Sequence, residues 1–210
     1  MPPVIFFAAT VQRVTSDAVA HIIDSAPSAY RWGAQGVSPL RMYHAPLPSP
    51  LHHAAAELRT QPPARLFEAL CRAACGAHNT AALAYVFGFC TNYALSRVTS
   101  RFIDEQADRL VTYMPGLSAA ARRQLAASDI DGIMIEDYID TASAGYAAYR
   151  LLDADTPECT AAARVLAQAV HATLGTHVSP AAVYRGMHDM RHILRLAHGG
   201  VPVRSRLQKL

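Results

Sequence analysis

The stretch TAALAYVFGFCTNYALSRVTSRFIDEQADRL, residues 80–110, contains no proline, and Asn79 stands just before it where a helix N-cap belongs. Its length and apolar spacing predict one long helix through a core, around which the rest of the chain must pack. Within it Asn92, Ser96 and Ser100 recur every four residues. One stripe of a buried helix therefore carries three short polar side chains where leucines are expected.

The remaining segments read as helices too. Alternating strand patterns are scarce, while alanine, leucine and arginine recur at helical spacing. Pro62 and Pro63 open ARLFEALCRAACG, with Gly76 as its stop. Ser118 is placed to cap AAARRQLAAS, and DIDGIMIEDYIDTASAGYAAYRLL predicts a further helix over residues 129–152. Thr156-Pro157 and Ser179-Pro180 mark two more starts. The expected architecture is an all-α, single-domain bundle spanning residues 1–210, with about six or seven helices, and the 199–210 tail reads as flexible. Between these helices, residues 26–50 hold Pro27, Pro39, Pro46, Pro48 and Pro50 with Gly33 and Gly36, which predicts one long ordered loop lying over the bundle.

Composition narrows the function classes. Nineteen basic residues against sixteen acidic ones leave a net charge of +3, too small an excess to imply nucleic acid. The N-terminus lacks the basic region and long apolar segment of a signal peptide, and no run reaches the roughly 18 apolar residues that span a membrane. The four cysteines at 71, 75, 90 and 159 form no CxxC pair; Cys71 and Cys75, one turn apart, read as small core residues in a reducing compartment. A cytoplasmic protein is the expectation. His188 and His192, near His198, are spaced for a surface metal but lack a sequence-placed acidic or cysteine partner. No GxSxG, P-loop or dinucleotide fingerprint is present.

Taken in order, GAQG (33–36), Tyr43-His44, Leu51-His52-His53, GFCTNYALS (88–96) and Ile135-Glu136-x-x-Ile139-Asp140 resemble the zinc-dependent phospholipase C family of all-α bacterial proteins. The likeness covers most of the chain. In that family the loop runs GAQGPD, the central helix runs G-F/Y-x-x-H-Y-x-L-D-x-x-x-H, and a later helix carries H-x-x-x-E before an Ile-Asp pair. An early Thr-His-Tyr and a histidine after the loop complete the set. Ligands one turn apart project to the same side of a helix, so a bundle can surround buried zinc, which activates water and polarises a phosphoryl oxygen.

Here the implied ligand positions are largely replaced. The central-helix ligands become Asn92, Ser96 and Ser100, the loop aspartate becomes Ser38, the early histidine falls at Phe7, and the later helix has Gly132 in place of its histidine. His52 or His53 and Glu136 remain as the only remnants. A catalytic zinc typically takes three protein ligands and an open position, and amides and hydroxyls are weak substitutes for imidazole and carboxylate. Losing the carboxylates together with the cation avoids leaving buried charges unpaired.

The resemblance therefore implies a phospholipase C-like pseudoenzyme: no catalytic residues, no cofactor, and a binding or scaffold role toward a protein or small-molecule ligand. The alternative is an active metal-dependent phosphoesterase with a rebuilt zinc site that recruits His52, His53, Glu136, Asp137 and His21 or Asp140. A helical interaction module, to which the family likeness is irrelevant, is the third possibility.

Overall fold

The computed structural model describes residues 2–139 and 147–198, and the expectations for Asp140 and the 199–210 tail lie outside them. The fold is all-α. Ten α-helices are present among the described residues: α1 (Pro2–Val14), α2 (Asp17–Ser25), α3 (Pro27–Gly33), α4 (Ser38–Met42), α5 (Pro50–Leu58), α6 (Pro63–Ala77), α7 (Thr80–Tyr113), α8 (Ala119–Ile139), α9 (Pro157–Leu174) and α10 (Pro180–His198). A 3₁₀ turn, Ala148–Arg150, precedes α9. No helix among the described residues is long and apolar enough to cross a membrane.

The expected six or seven helices become ten chiefly because the 26–50 segment is not a loop. Proline at the first or second helical position has no hydrogen bond to lose and arrives with its φ already helical. Pro27, Pro39 and Pro50 sit in the opening turns of α3, α4 and α5, so residues that looked like breakers are starters. Ser49 adds a cap to α5, its hydroxyl accepting from the Leu51 amide at 3.3 Å. The chain before this segment also folds, as α1 and α2.

Capping explains where the longer helices begin. Asn79 Oδ1 accepts from the Ala81 amide at 2.7 Å and starts the 34-residue α7. Ser118 accepts from the Ala121 amide at 3.2 Å, as expected, but no glycine or proline separates 119 from 131, so α8 runs on to Ile139. The predicted 129–152 helix is thus divided between the end of α8 and the Ala148–Arg150 turn. Helix α6 passes Gly76 and ends at His78, whose φ of 46° forms the left-handed C-cap.

The main core gathers Trp32, Leu40, Leu70, Tyr85, Leu166, Met187 and Met190, all fully enclosed. Helix α7 is the longest, but α9 is the more enclosed: nine of its eighteen residues are buried, with α6, α10, α3, α7 and α5 packed around it. On α6 the inward stripe is Leu66, Ala69, Leu70 and Ala74, which turns Cys71 and Cys75 outward; both are exposed rather than core residues. Helix α3 is tied to the approach to α9 by the Trp32 indole, which donates to the Asp153 carbonyl at 2.8 Å, and by the Ala29 amide, which donates to Glu158 at 3.0 Å.

Where α3 crosses α7 the backbones touch. A β-carbon on Gly33 would stand 2.0 Å from the Tyr85 carbonyl oxygen, and one on Gly88 would stand 2.0 Å from that of Tyr30. Only glycine permits that approach. The crossing fixes the turn after α3, residues 34–37, directly against the polar stripe of α7.

Candidate functional site

Asn92 is the point at which the stripe meets that turn. Its amide nitrogen donates to the Ala34 carbonyl at 2.8 Å. Gly36 adopts φ +57°, and a β-carbon there would lie 2.7 Å from Asn92 Oδ1. The asparagine is therefore a bracket: it holds a left-handed turn by one hydrogen bond and packs where a side chain at position 36 would stand. One residue earlier, Thr91 is buried, with its hydroxyl 3.2 Å from the Tyr30 hydroxyl and donating to the Phe87 carbonyl at 3.0 Å. The Tyr30 hydroxyl donates to Ala8 at 2.9 Å, which brings α1 into the same polar seam, and burial pushes its pKa upward.

Beside the bracket opens a groove of about 360 Å³. The 34–37 turn and α4 form one wall through Gln35, Val37, Ser38 and Arg41. The end of α5 and the start of α6 form the other through Leu58, Arg59, Gln61, Pro63, Leu66 and Phe67, and α7 supplies Phe89, Asn92, Tyr93 and Ser96. The floor is apolar and aromatic. Phe67 meets Phe89 edge-on at 6.0 Å between centroids and Tyr93 at 5.1 Å. Among the described residues no carboxylate and no histidine lines this groove.

Of the positions singled out in the sequence, Ser38, Asn92 and Ser96 come together here. Ser100, a further turn along α7, is half-buried and outside the lining; Phe7 is half-buried on α1, and Gly132 is half-buried on α8. Glu136 and Asp137 belong to α8, but their side chains fall outside the described ones. His52 turns away from the groove, its Nε2 2.9 Å from the Tyr43 carbonyl, which fixes the proton on that nitrogen. His53 is exposed and faces a separate shallow hollow with Pro48, Glu57 and Thr176. At the far end of the fold, His188 lies 3.6 Å from Asp155, which also binds Arg191 at 3.1 Å; the acidic partner the sequence did not place is thus already taken by an arginine. Among the described residues no three histidine, cysteine or acidic side chains are grouped as metal ligands.

Sequence reasoning missed Arg41 and Arg59. Both line the groove, both are exposed at its rim, and neither forms an ion pair among the described residues. Partial burial, followed by the nearby charges of Arg41 and Arg123, lowers the Arg59 pKa from its ordinary value. Arg123 is itself bound to Asp104 at 2.6 Å. No motif flags such a pair, because the two arginines are eighteen positions apart and meet only when α4 and α5 fold back on one another. No protein-family model, no curated protein and no solved structure matches the chain.

Proposed function

We propose that the protein is a phospholipase C-like helical protein that no longer hydrolyses phosphodiesters with zinc, and that it works as a binding protein through the groove beside Asn92. The observation that carries this reading is the engagement of Asn92. At the position where the resemblance implies a ligand histidine, the side chain donates to Ala34 and packs on Gly36. Its neighbours in the groove, Ser38 and Ser96, offer neutral hydroxyls. These groups do not fit a zinc ion, which is held by imidazole, thiolate and carboxylate.

What remains is a concave, partly apolar surface with several hydrogen-bonding groups, the form of a small-molecule site. The test is elemental analysis of the purified full-length chain together with turnover of a chromogenic phosphodiester, with and without added zinc. The expected result is no stoichiometric zinc and no turnover. Zinc-dependent turnover abolished by Glu136→Gln would overturn the reading in favour of a rebuilt metal site. Asn92→His alone is expected to leave metal content unchanged, because one added ligand is too few to hold the ion.

A further inference from the structure

Arg41 closes α4 and Arg59 is the C-cap residue of α5, so each is delivered to the groove by the end of a helix. Two guanidinium groups face one cavity whose lining, among the described residues, contains no acidic residue. Glu57, the acidic residue nearest in sequence to Arg59, lines the separate hollow beside His53. A third source of positive potential is the first turn of α6. No side chain caps it, and Pro63, its first residue, stands in the groove wall. The positive end of that helix dipole adds to the two full charges. Partial burial first, and then the charges of Arg41 and Arg123, lower the Arg59 pKa. Two cations lining one groove make it attractive to an anion.

The rest of the cavity says what the anion is attached to. Phe67, Phe89 and Tyr93 interlock edge to face, with Leu58 and Leu66 buried below the rim. Bare inorganic anions gain nothing from such a floor, whereas an apolar or aromatic body does. Neutral donors and acceptors at Ser38, Gln61 and Ser96 lie between the charged rim and this floor. The volume, about 360 Å³, falls within the range of sites for small organic molecules.

We propose that the groove binds a small organic oxyanion, with a phosphate or carboxylate head between Arg41 and Arg59 and an apolar or aromatic body on the Phe67, Phe89 and Tyr93 floor. Guanidinium presents paired N–H donors matched to either head group. This assignment rests on the non-catalytic reading of the same groove and specifies its ligand chemistry. The head is held by arginine alone, without a metal.

The experiment is titration of the full-length protein in excess EDTA with 1-naphthyl phosphate, followed by the probe's fluorescence and by calorimetry. 1-Naphthol, inorganic phosphate and 1-naphthoate serve as the body alone, the head alone and the carboxylate counterpart. Naphthyl phosphate is expected to bind saturably at one per chain, with naphthol and inorganic phosphate each weaker by roughly tenfold or more. Stronger binding of naphthoate than of naphthyl phosphate would assign the carboxylate head within the same chemistry, and the reverse would assign phosphate. Arg41→Gln and Arg59→Gln should each weaken binding by roughly tenfold, and the double variant should bind naphthyl phosphate no better than naphthol. Arg164→Gln, an exposed arginine on α9, should change nothing. Because Arg41 and Arg59 are exposed, circular dichroism should report unchanged folding.

Absence of saturable binding of either anion to the unmodified protein would overturn the proposal, as would a double variant that binds as tightly as the unmodified chain. The two readings fail separately. Zinc-dependent phosphodiester turnover alongside EDTA-resistant, arginine-dependent binding removes the non-catalytic reading and keeps the anion site; no turnover and no binding does the opposite.

Discussion

Residues 80–93 and 94–113 belong to one uninterrupted helix, yet they live in different surroundings. The first half is enclosed: Ala81, Ala82, Ala84, Tyr85, Val86, Phe89 and Thr91 are buried, and α3, α6 and α9 pack against α7. Among the described residues the second half buries Ala107 and Leu110 against Ala126 of α8, supported by Ile103 and Leu125, and leaves Val98 78% and Phe102 52% exposed. Helical hydrogen bonding is the same in both. Burial differs, and helices in water owe most of their stability to the faces they bury. The groove sits at the junction, so its α7 wall is rigid at Phe89 and Asn92 and more open by Ser96.

Four substitutions test this contrast, Leu166→Ala serving as the main-core reference. The largest effect is expected at the crossing: Gly88→Ala places a β-carbon against the Tyr30 carbonyl, and despite alanine's better helix propensity it should lower stability by about 3 kcal/mol, measured by urea unfolding. A mild or stabilising outcome would mean that α3 can move off α7, and that the first half is not as tightly fixed as the packing indicates. Next, Leu110→Ala should cost about 2 kcal/mol, less than the roughly 4 kcal/mol expected for Leu166→Ala in the main core, since the smaller cluster relaxes around the lost volume more readily. Hydrogen exchange sharpens the point: amides of 94–113 should open at lower free energy than those of 80–93, and equal protection would erase the distinction. The smallest effect belongs to the solvent side of the second half, where Phe102→Ser should shift stability by less than about 0.5 kcal/mol.

The legible parts of the fold were those with two agreeing local signals. Asn79 ahead of a proline-free run, Thr156 before Pro157 and Ser179 before Pro180 each combine a capping side chain or opening proline with helical spacing, and α7, α9 and α10 begin there. Pro27, Pro39 and Pro50 carry the same meaning, but the helices they open are seven, five and nine residues long. A helix that short shows too little periodicity to be told from a turn, and it persists because tertiary contacts hold it. The cysteines of α6 illustrate a different limit: spacing placed Cys71 and Cys75 on one side, while the side that faced inward was decided by Leu66, Leu70 and Ala74.

At the groove, the stripe of Asn92 and Ser96 was visible as an anomaly of pattern. The partners of Asn92 were not, because Ala34 and Gly36 contribute backbone and the absence of a side chain, neither of which a residue pattern records. Arg41 and Arg59 escaped notice for the complementary reason. Arginine is abundant in this chain, and what distinguishes these two is that both line one groove, a property of three-dimensional neighbours.

The glycine crossing of α3 and α7 has a mechanical consequence. With Gly33 on Tyr85 and Gly88 on Tyr30, two backbones are in contact without intervening side chains, and no rotamer change can let them slide. The crossing acts as a rivet, and the turn at residues 34–37 moves with α7 as one piece. The opposite wall, from the end of α5 into α6, meets α7 through side chains, Phe67 on Phe89 and Tyr93, and not through touching backbones. Side chains can change rotamer where two backbones cannot, so any adjustment of the groove to its contents falls on the Phe67 side while the Asn92 side holds its shape.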